Sequence, residues 1–240
     1  MYKLTVICLF LATKLYALGQ VDPNKISIYI EPIFNTQGPE IVAGSYSEGL
    51  ASEGKTFTDT IINMKKEAPK LTAEVLYMAS VQLYNRGYLD ESVYWFYLAQ
   101  CKARLIQSTI DRKATPNFGS PSFERINILN SFYQLAGPTI NGYAFSNPEN
   151  LLKILKQVQV EFSKTTSLQS IYPDIKLPKN FDQASKVDEV SSGMAPLFEM
   201  LKKKPEYIAE QRANSGIDKV FKDIKSKKFP TAETTSTGKI

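Results

Sequence analysis

The chain has 240 residues, 29 Lys and Arg against 24 Asp and Glu, a formal charge of +5, and no histidine. Without histidine the commonest general base and the commonest zinc ligand are both missing, which excludes Ser-His-Asp and Cys-His catalysis and typical zinc sites. The charge is too weak a field for nucleic acid or anionic lipid to be the main partner, whereas 13 Phe, 13 Tyr and 43% hydrophobic residues suffice for one domain with its own core.

Residues 1–19, MYKLTVICLFLATKLYALG, read as a secretory signal peptide, with Lys3 near the start, an apolar run from Leu4 to Ala12, and Ala17 and Gly19 before cleavage at Gln20. Thr13 and Lys14 interrupt the run well short of the roughly 18 apolar residues a spanning helix needs. The mature chain is therefore expected to be exported to a bacterial periplasm, with no membrane insertion after cleavage. Loss of Lys3 and Lys14 takes the charge from +5 to +3. Cys8 lies in the leader, too early for a lipoprotein site, so Cys101 is the one cysteine left and no internal disulfide can form. Packing has to hold the fold.

After the leader, residues 20–55 are rich in Gly, Pro, Asn and Ser around an alternating run, Ile26 to Glu31, which predicts a short strand or extended arm. Thr56 or Thr58 is expected to cap a helix through Lys66, stopped at Ala68-Pro69. From Leu71 to Arg112 the pattern is densest. Val75, Leu76, Ala79 and Leu83 give one apolar helical face, Asn85-Arg86-Gly87 gives a stop, and Asp90 restarts a helix over Ser92 to Arg104. Val93 to Leu98 make that second helix apolar on nearly every side, so it belongs in the middle of a domain.

Thr115 to Pro121 reads as a linker. A helix from Ser122 to Ala136 is expected to stop at Gly137-Pro138, and the stretch from Gly137 to Phe145 to form a structured loop. Asn147-Pro148-Glu149 starts the next helix, with Leu151, Leu152, Leu155, Val158 and Phe162 inward. An irregular connection follows over residues 163–186. Three shorter helices are predicted over Met194–Lys204, Pro205–Ala213 and Ile217–Lys227, and the tail 229–240 is expected to be disordered. The expected organisation is a signal peptide at 1–19, one helical domain at 20–228, and that tail.

The run Leu76, Ala79, Ser80, Leu83, Gly87, Ser92, Phe96 and Ala99 resembles one tetratricopeptide or Sel1-like helical hairpin, with small residues where the helices touch and Gly at the turn. Arg104 stands where such a unit usually ends in Pro, and no second copy follows at the 34-residue period. The fold class expected is all-α, an irregular helical domain of about five to eight helices built around this one hairpin, with a short extended N-terminal arm. The segments SVYWFYLAQCKAR and GPTINGYAF resemble exported proteobacterial proteins of the immunity type. That resemblance implies a partner that is a toxin or effector, blocked sterically. The alternative is a component of the cell envelope, held by the same hairpin as a scaffold.

The chemistry-bearing patterns agree with a non-catalytic binding module. The pair Asp90-Glu91 sits where helix capping places acids. Cys101, without a histidine partner, reads as a buried structural thiol. No phosphate loop, dinucleotide fingerprint or EF-hand appears, and no cofactor or metal is expected. A hydrolase independent of histidine would have to use the carboxylates of the loop from Ile171 to Asp188. For partner binding, the candidates are Tyr84, Tyr88, Tyr94 and Arg104 at the mouth of the hairpin, and Lys202, Lys203 and Lys204 as a basic patch. Residues 201–228 hold nine Lys or Arg against Glu206, Glu210, Asp218 and Asp223, a net +5, which leaves the rest of the mature chain at −2.

Overall fold

A computed structural model describes residues 22–28, 46–109 and 121–230. The expected signal peptide, residues 29–31 of the alternating run, most of the linker and residues 231–240 lie outside it. Among the described residues the secondary structure is all helical, with no strand. The helices are α1 (Ser47–Ala51), α2 (Gly54–Glu67), α3 (Ala73–Asn85), α4 (Leu89–Gln107), α5 (Pro121–Ala144), α6 (Pro148–Phe162), α7 (Leu168–Ile171), α8 (Gln183–Ser192), α9 (Ala195–Lys203), α10 (Pro205–Ser215) and α11 (Ile217–Phe221). Three of these, α1, α7 and α8, are not among the helices expected: α1 and α7 are too short to leave a periodic pattern, and α8, which with α7 interrupts the expected irregular connection at 163–186, buries only Val187.

The hairpin α3/α4 is the centre. Thr72 caps α3 by accepting the Val75 N–H at 3.3 Å. At the other end Gly87 takes φ +82°, its N–H bonds Tyr84 O at 2.8 Å and the Tyr88 N–H bonds Leu83 O at 3.0 Å. This is the Schellman pattern, and it requires a residue free of a Cβ penalty. Ser80 and Ser92 exchange hydroxyl-to-carbonyl bonds of 2.9 and 2.8 Å where the helices cross. Trp95, Phe96 and Leu98 are fully buried, and α4 packs against α3, α5, α6 and α8. The apolar helix does occupy the middle of the domain.

Several boundaries differ from expectation for local reasons. Helix α2 begins two residues before Thr56, behind Glu53; Thr56 and Thr58 lie inside it, and the Thr58 hydroxyl donates back to Gly54 O at 3.1 Å. It ends at Ala68-Pro69, as predicted, in a single 3-10 turn over Ala68–Lys70. The buried Lys102 covers this end: its Nζ donates to Ala68 O (2.7 Å), Pro69 O (3.0 Å) and Leu71 O (2.6 Å). Burial draws the ammonium down to about 7, while the three carbonyls accept all three of its N–H groups.

The larger correction is α5, which runs straight through Gly137-Pro138 to Ala144, so the expected loop is helix. Proline disfavours α conformation in the residue before it partly through that residue's Cβ, and Gly137 has none. Pro138 faces solvent, where the carbonyl left without a partner is hydrated. Ala136, Ile140 and Ala144 on the opposite face are buried. Helix α6 starts as predicted, with Asn147 Oδ1 accepting the Asn150 N–H at 3.0 Å and Pro148 in the first turn.

Both ends of the described chain dock on the hairpin turn. From the N-terminal arm, the Ile26 N–H donates to Asn85 Oδ1 (2.7 Å) while Asn85 Nδ2 donates to Ile26 O (2.9 Å), so one side-chain amide imitates a strand edge. At the other end α11 stops at Phe221, short of the Lys227 expected. Residues 222–230 continue as a non-helical strap, and the Lys227 N–H donates to Gly87 O at 2.7 Å. Phe229, assigned from sequence to the disordered tail, packs edge-on against Tyr88 at 5.1 Å.

Candidate functional site

Where the start of α4, the end of α5, the start of α6 and the α11-strap corner meet, they enclose a cleft of about 770 Å³. Its floor is set by a glycine. A Cβ on Gly142 would stand 2.4 Å from Phe221 Cε2 and 3.2 Å from Ile217 Cδ1, so α11 reaches α5 only because position 142 carries no side chain. Arg212, 7% exposed, locks this corner: its Nη1 donates to Gly142 O at 2.7 Å and its Nε to Asp218 Oδ1 at 2.6 Å.

Asp90 is the hub of the opposite wall. Its Oδ1 accepts the Tyr143 hydroxyl at 2.7 Å and Asn150 Nδ2 at 2.9 Å, tying α4 to α5 and α6. Burial, then Asp90 itself, pushes the Tyr143 phenol well up, so it stays a hydrogen-bond donor at neutral pH. The inner polar groups are therefore engaged with one another. What faces outward is a rim of Ser146, Asn147, Glu149, Lys153, Lys222 and Lys225. Lys153, Lys222 and Lys225 form no ion pair with any described residue.

The residues expected to bind a partner are dispersed. Tyr84 is fully buried, its hydroxyl donating to Pro23 O at 2.9 Å, which corrects its expected exposure: the N-terminal arm covers it. Tyr88 is half-buried between Phe57 and Phe229, and Tyr94 half-buried on α4. Arg104 is half-buried on the side of α4 where its charge opposes part of the upward shift that burial gives Tyr77 and Tyr97. Lys202, Lys203 and Lys204 are exposed at the end of α9, with Lys203 paired to Glu199 at 2.6 Å. None of these seven lines the cleft. The residues that do were missed because Asp90, Tyr143, Asn150 and Arg212 lie far apart in sequence; Gly142, inside an apolar pattern, was the one local sign of a close approach.

The stretch expected as a loop over 171–188 is helical from Gln183, which puts Asp188 in α8, and its other carboxylates are committed elsewhere. Asp174 pairs with Arg125 Nη2 at 2.9 Å, and Asp182 caps α8 through the Ser185 N–H at 3.1 Å. The same Arg125 reaches Glu74 at 2.6 Å, and Tyr172 donates to Glu74 at 3.0 Å, so this buried network ties α3, α5 and the loop together. Cys101 is buried as expected, and burial pushes its thiol up to about 12. Among the described residues no His, Cys, Asp and Glu cluster has the arrangement of a metal site, and no helix is long and apolar enough to cross a membrane. Comparison with protein families, with characterised proteins and with solved structures found no match to the chain.

Proposed function

We propose that the chain is an exported, non-catalytic protein-binding module, of the immunity type, which presents the cleft and its lysine rim to a partner protein. The observation that carries this reading is the state of the cleft's polar groups. Asp90 binds Tyr143 and Asn150, and Arg212 binds Asp218 and the Gly142 carbonyl, two fixed groups suited to presenting a surface. The groups left for a ligand are rim lysines, which supply long-range attraction and orientation.

The two segments that resemble immunity-type proteins, residues 92–104 and 137–145, contribute mostly buried side chains. They speak for a shared scaffold, and the partner-specific contacts lie outside them. Inhibition in this reading is steric, with the rigid end of the bundle covering the toxin's active site.

The test is periplasmic co-expression of the mature chain with the product of the adjacent gene. Copurification and rescue from killing are expected, and the triple variant Lys153→Glu, Lys222→Glu, Lys225→Glu should weaken binding at least tenfold with unchanged circular dichroism. A harmless neighbour that does not copurify rejects the immunity reading. Binding that survives the charge reversal rejects the cleft as its site.

A further inference from the structure

The strap sits on the hairpin turn in the manner of a bound peptide. Its backbone makes one bond to the turn, Lys227 N–H to Gly87 O at 2.7 Å. Lys227 Nζ donates to Arg86 O at 3.0 Å, beyond the C-terminal end of α3, where the helix dipole favours a cation. Ser226 Oγ accepts the Asp90 N–H at 3.0 Å, one of the donors that the first turn of α4 leaves without an intrahelical partner. Phe229 sits edge-on against Tyr88, with Lys65 Nζ 5.5 Å from its ring centroid.

The turn is shaped for this occupant. A Cβ on Gly87 would lie 3.2 Å from Lys227 Cε, so the glycine that the turn's backbone requires also leaves the trough in which the lysine stem lies. The strap is held at a few points: Ile224 and Phe229 pack against the core and three hydrogen bonds reach the turn, while Lys222, Asp223, Lys225, Lys227 and Lys228 are exposed. Segments with few buried contacts open locally without global unfolding.

We propose that the hairpin turn is a peptide-docking groove which the chain fills in cis with its own strap, and that its partner ligand is an extended basic-aromatic segment, a lysine two residues ahead of an aromatic, which displaces the strap. The groove offers the Arg86 carbonyl for the cation, the Gly87 carbonyl for a backbone N–H, the Asp90 N–H for a hydroxyl, and the Tyr88 ring for the aromatic. Ile224, Lys225 and Ser226 also wall the cleft, so displacement remodels it. The inference stands on the strap contacts and does not depend on the identity of the partner at the cleft.

The experiment uses the full chain and a labelled peptide of the strap sequence, Lys222 to Pro230. Because a tethered segment competes at an effective concentration in the millimolar range, the wild type should bind the peptide weakly. The double variant Lys227→Ala, Phe229→Ala, whose own strap no longer holds, should bind it at least tenfold more tightly. A peptide carrying the same two alanines should not bind, and adding Tyr88→Ala should abolish the gain. Equal binding by wild type and strap variant, or equal binding of both peptides, overturns the proposal. Should the strap variant lose its helical spectrum, amide exchange in the wild type decides: the Lys227 amide must exchange well before those of α4. Protection matching α4 refutes a separable strap, and a dimer with exchanged straps in light scattering refutes occupation in cis.

Discussion

Gly142→Ala tests how the cleft is closed. In a helix interior alanine is favoured over glycine by up to ~1 kcal/mol, so propensity alone predicts stabilisation. The structure predicts the reverse. The new Cβ falls 2.4 and 2.7 Å from two carbons of the Phe221 ring, whereas carbon atoms pack at about 3.5–4.0 Å. The ring has to retreat by about 1 Å, and it is only 4% exposed, wedged beside Ile217. Overpacking of this kind costs ~1–3 kcal/mol, which leaves a net loss of up to about 2 kcal/mol after the propensity gain. In a chain of this size, that lowers the melting temperature by up to roughly 8 °C. Thermal unfolding of wild type, Gly142→Ala and Gly142→Ala with Phe221→Leu gives the answer. The double variant should recover part of the loss, since the smaller side chain makes room. A Gly142→Ala protein that melts higher than wild type would refute the argument that this glycine admits α11.

Pro138→Ala restores a backbone donor on a solvent-facing position of α5; against ~3 kcal/mol of helix preference stands ~0.4–1 kcal/mol of lost unfolded-chain restriction, so a gain of about 2–2.5 kcal/mol is expected in urea denaturation. A lower midpoint would mean that the helix depends on its proline. Arg125→Met removes the cation between Glu74 and Asp174 and should cost ~3–5 kcal/mol, because the Glu74 carboxylate is left buried; a loss under about 1 kcal/mol would show that this network contributes little. In alkali, burial holds the phenols of Tyr77, Tyr84, Tyr97 and Tyr172 above their ordinary pKa, and burial with Glu67 pushes Tyr46 up to about 12. The unfolded chain then binds fewer protons than the folded one above pH ~10, so stability is complete below that pH and is lost as pH climbs through about 12. Phenolate absorbance and helical circular dichroism should change together; ionisation of these tyrosines near pH 10 with the helices intact would contradict their burial.

The hairpin was legible because its signals are local. Thr72, the apolar face of α3, Gly87 and the continuous apolar run of α4 each act within a turn or two of chain. So does the Asn147-Pro148 start of α6. The reading failed where a distant contact overrode a local rule. Gly137-Pro138 looks like a stop in isolation, but three buried residues on the inner face hold α5 together across it. Tyr84 looks like a surface tyrosine until Pro23 arrives to accept its hydroxyl proton. The candidate site was the least legible part, since Asp90, Tyr143, Asn150 and Arg212 come from four helices and no spacing in the sequence relates them. Charge is visible late in the chain, yet nothing local marks Lys222 and Lys225 at the cleft above the consecutive Lys202-Lys203-Lys204.

The meeting of residues 22–28 and 222–230 on one turn has a consequence for how the molecule folds. The contacts of Asp90 with Ser226 and of Arg86 with Lys227 span 136 and 141 residues, so synthesis has to run far past the hairpin before they can form. Long loops of this kind close late in folding. A chain cut short before Ser226 has its central hairpin but lacks the partner for the Asp90 N–H, and its Tyr88 ring stays uncovered. Such a fragment exposes the part of the hairpin turn that the strap covers, apolar surface of the kind that chaperones bind. Residues 226–229 act as a clasp that closes the hairpin turn once the hairpin itself has formed.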